Sequence, residues 1–256
     1  MAPITSARGR WHRRRLRLFG IGSPKSGTHS LEAVFAGRYR TAHEPEALVL
    51  VDLLVAVADG TATEADLRSY LRSRERRLRL EVNCAGLNGL VVEQLVDVVP
   101  KARFVLTLRD PFDWLTSLVD HSLRGDPAPT YGRLRELRYG ADRVHPPEEQ
   151  PLAAAGLFTL DGYLTSWAER NERALAVVPA ARLLVVRTDQ LGSRLADLAA
   201  FAGVPLPTLD AGRTHEYAAP SRSGLLDQLD PAYVRERVLT HCRPLLERFF
   251  PERLSD

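Results

Sequence analysis

Short apolar runs alternate along the chain with longer segments of helical periodicity. The runs at 16–22, 78–82, 102–108 and 182–187 have the length of buried strands. Apolar positions three and four residues apart predict helices at 31–39, from Pro45 to 58, and at 63–78, 90–99, 112–123, around Trp167, 194–202 and 231–250. This alternation predicts an α/β fold, a single domain in which helices cover both faces of a parallel β-sheet.

Local signals predict the limits and surroundings of several elements. Thr63 with Asp66 resembles a capping box, so a helix is expected to begin there. The segment 125–150 contains four prolines and is predicted to be a long loop. Tyr163 and Trp167 are expected to be core contacts of one helix. An arginine run that covers more than one helical face is expected to be solvated: Arg72, Arg74, Arg76, Arg77 and Arg79.

Composition places the chain among ordinary globular proteins. It has 256 residues, 45% of them hydrophobic and 26% charged, which excludes collagen-like, low-complexity and disordered classes. Two cysteines, Cys84 and Cys242, are too few for a disulfide framework or a four-thiolate metal site, so a reducing compartment is expected. The net charge of +3 permits an anionic ligand but does not specify one.

Two segments bear on location. The longest apolar run, 47–58, is broken by Asp52 and is too short to span a bilayer. Residues 1–15 are basic and contain no apolar signal core, so we expect a flexible arm followed by one domain at 16–256. No interleaved aromatic residues support base stacking by this arm. A cytoplasmic protein that neither inserts into a membrane nor binds nucleic acid is expected.

The segment 20–30 carries the first chemical signal and reads Gly-Ile-Gly-Ser-Pro-Lys-Ser-Gly-Thr-His-Ser. It lies between a predicted strand and its helix, where backbone N–H groups and the helix dipole favour an anion. Gly22 and Gly27 keep the glycine spacing of an ATP-type phosphate loop, but Thr28 stands where that loop has its lysine. Lys25 lies inside the loop instead, where it can reach a group leaving from a 5′-phosphate.

A second motif follows a later strand. Arg109 precedes Asp-Pro at the end of the 102–108 run, and Ser117 follows it by eight residues. Together the two motifs resemble those of the PAPS-dependent sulfotransferases, including the bacterial type, which have a P-loop-like fold. The resemblance implies that the loop grips the 5′-phosphosulfate and that Arg109 and Ser117 bind the 3′-phosphate. The implied nucleotide-binding residues are Pro24, Lys25, Ser26, Gly27, Thr28, His29, Ser30, Arg109 and Ser117.

A third match lies further along the chain. Residues 183–191 and 198–205 resemble the late strand, acidic turn and helix end of the same family. Thr188 stands where a tyrosine is usual, and Asp189 where a glutamate is usual. We interpret this match as core architecture rather than as direct ligand contact.

The general base has more than one candidate. In related sulfotransferases a Glu-containing turn after the first helix supplies the base, and Glu44 fits that place. His43 is the rival, because imidazole titrates near neutrality and the cytosolic branch uses a histidine. A third reading is that His43 and Glu44 only cap a helix that opens at Pro45. His121, four residues after Ser117 on one helix, matches a histidine implicated in catalysis in one branch of the family.

Two positions depart from the family pattern. His29 replaces the second threonine that usually follows Ser-Gly-Thr, which puts an imidazole near the phosphosulfate. Many relatives carry a further lysine before the Arg-Asp-Pro strand, whereas this chain has Asn83-Cys84-Ala85 there. Any such charge must come from an arginine or a histidine.

These motifs predict transfer of the sulfuryl group of PAPS to a hydroxyl or amine of a small acceptor, such as a natural product, a glycolipid, a phenol or an alcohol. PAP is the expected product, no metal is expected, and a homodimer is left open. The segment 125–150 is expected to form a lid or wall over the acceptor. The alternatives are a P-loop nucleotide kinase and a non-catalytic PAP-binding protein.

Overall fold

The computed structural model describes residues 14–125, 128–215 and 222–255, and the chain divides into two compact units. The first comprises Met1–Arg109 and Arg173–Ala218, and the second Asp110–Glu172 and Ala219–Asp256. The α-helices are α1 (Thr28–Ala36), α2 (Ala47–Ala58), α3 (Glu64–Leu78), α4 (Val92–Val98), α5 (Pro111–Ser122), α6 (Pro129–Tyr139), α7 (Gln150–Ala154), α8 (Leu160–Val177), α9 (Leu195–Ala202) and α10 (Pro231–Phe249).

The first unit holds a parallel sheet of five strands. These are β1 (Leu18–Gly20), β2 (Thr41–His43), β3 (Val82–Cys84), β4 (Arg103–Leu108) and β5 (Leu183–Arg187), in the order β2-β3-β1-β4-β5. Every neighbouring pair is parallel. The predicted α/β class with a P-loop-like parallel sheet is confirmed.

The register of this sheet positions three loops together. Gly20, His43 and Cys84 are paired residues at the carboxyl ends of β1, β2 and β3. The chain builds β2 and β3 on one side of β1 and then crosses to β4 on the other side. In parallel sheets, ligands bind at the carboxyl ends of strands where the strand order reverses in this way. The segments after these strands are therefore the place to look for a site.

One face of the sheet is buried under α1 and α9. Alternate strand residues point to the same face, and most of those that point here are apolar. The strands contribute Leu18, Val82, Cys84, Val105 and Val186, while α1 contributes Leu31, Val34 and Phe35, and α9 contributes Leu195, Leu198 and Ala199. Phe19 and Phe104 belong to the alternate positions and stack at 5.7 Å between ring centroids. This packing fixes α1, and with it the loop that precedes it.

The second unit is helical, with an aromatic core. Trp114 of α5 and Trp167 of α8 are both buried, and their ring centroids are 6.4 Å apart. Tyr163 is fully buried and packs edge-on against Tyr139. The prediction that Tyr163 and Trp167 are core contacts is confirmed.

Two sequence predictions of secondary structure were wrong. The run 78–82 was expected to be a strand, but α3 continues to Leu78 and β3 begins only at Val82, where the chain comes into register with β1. The segment 125–150 was expected to be a loop, but 129–139 is helix α6. Pro129 occupies the first turn of α6, where a proline costs no hydrogen bond.

The remaining local signals have mixed outcomes. Thr63 and Asp66 form both bonds of the predicted capping box. Arg74 is only 2% exposed, so its expected solvation was wrong, and its guanidinium lies over the ring of Tyr70. Residues 1–13 of the predicted arm lie outside the described residues. Arg15 bonds to Glu81 at 3.0 Å.

Among the residues that the structure describes, no helix combines the length and apolar character needed to cross a bilayer.

Candidate active site

The loop between β1 and α1 has the backbone of an anion cradle. Lys25 and Gly27 both adopt left-handed conformations, with φ of 68° and 91°. This conformation is energetically unfavourable for Lys25, because a left-handed backbone favours glycine. The loop ends at Thr28, the first residue of α1. The first N–H groups of a helix have no acceptor within the helix, and those of the nine-residue α1 lie next to the loop, which suits a phosphate.

Ser26 anchors this loop to the sheet. Its hydroxyl donates to the carbonyl of Ser23 at 2.7 Å and shares a 3.0 Å hydrogen bond with the hydroxyl of Thr107 on β4. The side chain is 1% exposed. The backbone N–H of Ser26 also donates to the carbonyl of Ser23, at 3.0 Å, so both donors of this residue hold the loop together, and its contact with an anion stays a prediction.

Gly22 is required by this anchor. A Cβ at position 22 would stand 2.0 Å from Thr107 Oγ1 and 2.3 Å from Ser26 Oγ. We expect Gly22→Ala to lower the free energy of unfolding by about 1–3 kcal/mol, because overpacking displaces the loop. Urea unfolding measures the change, with Gly37→Ala as control, since nothing lies within 4 Å of a Cβ there. Equal effects of the two substitutions would contradict this reading of the loop.

Thr188 lies on the outer side of the loop. Its hydroxyl donates to the carbonyl of Ser26 at 2.6 Å, and a Cβ on Gly27 would stand 2.9 Å from its Cγ2. The third sequence match was interpreted as core architecture. The structure refines that interpretation, because Thr188 holds the loop itself.

Arg109 reaches the same loop from the end of β4. Its Nη1 donates to the carbonyl of Lys25 at 3.3 Å, and the residue is half-buried. Two residues of the predicted nucleotide site, distant in sequence, are thus in contact. The next residue, Asp110, caps α5 by accepting from the N–H of Phe112 at 3.0 Å.

Glu44 lies against the phosphate loop. Its Oε1 accepts from the N–H of Gly86 at 2.6 Å, and its own N–H donates to the carbonyl of Cys84 at 2.9 Å. A Cβ on Gly86 would stand 3.0 Å from Pro24 Cγ and 3.2 Å from Glu44 Oε1. Gly86 therefore allows the carboxylate and the loop to approach each other closely.

The turn that carries Glu44 is held in place from α3. Glu44 and Glu46 are both left-handed, with φ of 49° and 55°. The carboxylate of Glu46 accepts from Tyr70 at 2.9 Å and pairs with Arg77 at 2.7 Å. Helix α2 begins at Ala47, without a side-chain cap. The reading in which Glu44 merely caps a helix opening at Pro45 is wrong, because its carboxylate bonds to Gly86 instead.

His43 is half-buried beside the first turn of α1. Its Nε2 shares a 3.2 Å hydrogen bond with Thr28 Oγ1, and its ring lies 4.7 Å from that of His29 between centroids. Burial, and to a smaller extent the neighbouring His29, lower the pKa of His43 to about 4. His43 is therefore neutral near pH 7 and a weak proton acceptor.

The pKa of His43 predicts a pH dependence of stability. Between pH 6.5 and about 4 the unfolded chain protonates this imidazole while the folded protein does not, so the free energy of unfolding falls as the pH is lowered through that window. Urea unfolding across pH 4.5–7 should show a shallower decline in His43→Gln than in the unchanged protein. The exposed His215 provides the control, and a decline equally reduced by His215→Gln would contradict the assignment.

Ser117 and His121 lie in the second unit. Both are on α5, one turn apart, with Ser117 partly exposed and His121 exposed. Ser30 is buried on α1. In the described residues, no group of three or more His, Cys, Asp and Glu side chains is arranged to hold a metal ion.

Sequence reasoning missed Gly86 and Thr107 as parts of the site. Gly86 follows β3 just as Glu44 follows β2, so the parallel register alone could have placed it nearby. No local signal marks Thr107, because its role depends on facing Ser26 across the sheet.

A sequence model described as a sulfotransferase domain matches residues 17–218. A search of curated proteins finds no significant match.

Several solved structures are similar at low identity. A sulfotransferase from Alicyclobacillus acidocaldarius is 19% identical over 88% of this chain and 95% of that chain, with a TM-score of 0.48. The mouse sulfotransferase SULT7A1, complexed with PAP, is 14% identical over 90% and 86%, with a TM-score of 0.43. The sulfotransferase STF9 from Mycobacterium avium is 14% identical over 93% and 78%, with a TM-score of 0.47.

Proposed function

The chain belongs to the sulfotransferase domain family, and we propose on that basis that it transfers the sulfuryl group of PAPS to a hydroxyl or amine of a small acceptor. One observation carries the proposal. A carboxylate, Glu44, lies against a phosphate loop whose lysine is inside the loop. A base beside an anion cradle is the arrangement that sulfuryl transfer needs.

The proposed reaction assigns a role to each of these groups. Glu44 accepts the proton of the acceptor hydroxyl as the acceptor oxygen bonds to sulfur. The bond between sulfur and the bridging oxygen of the phosphosulfate breaks, and PAP leaves. Lys25 stabilises the negative charge that builds on that oxygen. Holding donor and acceptor in line provides much of the remaining acceleration.

Glu44 is preferred to His43 as the base for a structural reason. The Nε2 of His43 is already engaged in a hydrogen bond with Thr28 Oγ1. The carboxylate of Glu44 accepts from the backbone N–H of Gly86 through Oε1, and Glu44 stands where related sulfotransferases have their Glu base. In the proposal His43 orients Thr28 at the loop, and His29 stands beside the leaving phosphate. His121 is kept as a further catalytic candidate.

Donor selectivity is assigned to Arg109 and Ser117, which the family resemblance places on the 3′-phosphate. We expect Arg109→Ala to weaken PAP binding by about 1.5–3 kcal/mol and to slow turnover at saturating PAPS much less. Titration calorimetry with PAP, and with the same nucleotide lacking its 3′-phosphate, measures the effect. If the unchanged protein binds both nucleotides equally, Arg109 has been assigned the wrong role.

The acceptor is proposed to be a small molecule and the protein to act in the cytoplasm. The test is incubation with sulfur-35-labelled PAPS and pools of small alcohols, phenols and amines, with the Lys25→Ala variant as control. We expect labelled product that depends on Lys25. Phosphoryl transfer from labelled ATP would support a kinase, and PAP binding without turnover in any pool would support a non-catalytic binding protein; either result contradicts the proposal.

A further inference from the structure

Helix α2, in the first unit, is almost entirely apolar but is only partly buried. All of its residues are Ala, Val or Leu except Asp52. Leu50 and Val51 are buried, whereas Leu48 and Val49 are 48% and 52% exposed. A helix that is apolar on all sides is normally enclosed. The exposed side of α2 is therefore an apolar surface that a partner would cover.

Arginines lie next to the start of this helix. Glu46, the residue before α2, pairs with Arg77 of α3 at 2.7 Å. The first turn of α2, which carries the exposed apolar side chains, therefore lies beside the end of α3, where further guanidinium groups are exposed. The apolar and basic side chains together form what we call the α2–α3 surface: Leu48, Val49, Arg76, Arg77 and Arg79.

The basic N-terminal segment joins the molecule at the same place. Arg14 pairs with Glu75, two residues before Arg77 on α3. The chain therefore enters the described part of the structure beside the α2–α3 surface. Residues 1–13, which lie outside the described residues, add three arginines and one tryptophan to its sequence, and no acidic residue. Tryptophan and arginine are both suited to the interface between membrane and water.

We infer that the α2–α3 surface docks on an anionic membrane surface, with Leu48 and Val49 at the boundary between head groups and acyl chains. Burial of apolar side chains and attraction of arginines to anionic lipids are the two contributions that hold an interfacial helix in place. Such a helix lies on the bilayer and does not span it.

A second copy of the chain fits this surface less well than a lipid surface does. A symmetric contact between two copies would bring the arginines of both beside each other, and like charges repel. An anionic membrane supplies the opposite charge. Asp52, which is exposed one turn beyond Leu48, is the one charged residue of α2 and opposes the attraction to anionic lipid. Its removal therefore gives a variant with an effect of opposite sign.

The test is flotation of the full chain with two kinds of vesicle, phosphatidylcholine alone and equal parts of phosphatidylcholine and phosphatidylserine. We expect a partition coefficient at least about tenfold larger for the anionic vesicles. Binding should weaken as the salt concentration is raised, because salt screens the attraction. Replacing both Leu48 and Val49 with glutamine should weaken binding at least about tenfold, since the apolar contact is lost.

Two further variants sharpen this test. Leu206→Gln is the matched control, because Leu206 is 46% exposed in the segment after α9, and it should change binding less than about twofold. Asp52→Asn should strengthen binding to the anionic vesicles about fivefold, because it removes one repelled charge. Thermal unfolding of each variant separates loss of the surface from loss of the fold.

Four results would overturn the inference: no vesicle binding, equal binding to both kinds of vesicle, an equal loss in Leu206→Gln, or no gain in Asp52→Asn. A dimer in light scattering that dissociates when Leu48 and Val49 are replaced, without vesicle binding, would show that a second copy covers α2 and would overturn it as well. These measurements use neither PAP nor turnover, so they test docking independently of the proposed function.

Discussion

Replacing Glu44 with glutamine is expected to lower turnover about 10²–10⁴-fold while leaving PAP affinity near that of the unchanged protein. The amide retains the size of the carboxylate, and its oxygen can still accept from the N–H of Gly86. It cannot take up the proton of the acceptor. Steady-state rates with an acceptor found in the labelled screen, together with PAP calorimetry, measure the two parts of this expectation.

The comparison with His43 decides which side chain is the base. His43→Ala should reduce the rate less than Glu44→Gln, since it removes a hydrogen bond to Thr28 rather than the proton acceptor. If His43→Ala abolishes activity and Glu44→Gln does not, the histidine is the base. If both variants remain active, the base lies elsewhere and His121 is the next residue to replace.

Replacing Lys25 with alanine is expected to have a comparably large effect, through the leaving group rather than the acceptor. Charge that builds in a transition state is stabilised by such a group by about 3 kcal/mol or more, so turnover should fall at least about 100-fold. The left-handed backbone at position 25 costs alanine about as much as lysine, so the substitution is expected to leave the loop conformation unchanged.

Lys101 provides a matched control for the Lys25 substitution. It is the only other lysine in the chain, and it is exposed in the turn before β4. Lys101→Ala should leave turnover unchanged. A Lys25→Ala variant that keeps half of the original rate would show that the loop lysine does not act on the leaving group.

The pattern of apolar residues predicted the sheet because buried parallel strands are short, apolar and separated by amphipathic helices. The runs at 16–22, 102–108 and 182–187 all contain strands of the sheet. The sequence also placed the 20–30 loop and Arg109 directly after two of these strands. The structure brings them into contact, because the two strands are neighbours in the sheet, while their roles in binding a nucleotide stay predictions.

Other features depend on tertiary contacts that no local pattern contains. Arg74 is buried because its guanidinium lies over the ring of Tyr70 and donates to Asn88 Oδ1. Its neighbours in the arginine run are mostly exposed. Helix α6 forms within the proline-containing segment 125–150, because Pro129, the one proline of the helix, falls in its first turn. The position of Glu44 depends on Gly86, which comes from a different strand.

The loop at 20–30 is held by residues that lie far from it in sequence, so the sequence motif alone does not contain all the residues that position it. Ser26 bonds to Thr107 on β4, and its carbonyl accepts from Thr188 after β5. The loop, which follows β1, is therefore also held from β4 and from the end of β5. A rigid cradle of this kind lowers the cost of ordering when an anion binds.

The most direct test of the central claim, that the loop containing Lys25 belongs to a PAPS site rather than an ATP site, is calorimetric titration of the unchanged protein with PAP and, separately, with ATP and magnesium. The account predicts saturable PAP binding, lost in part in Arg109→Ala, and binding of ATP with magnesium that is at least about tenfold weaker. Tighter binding of ATP with magnesium than of PAP would contradict it.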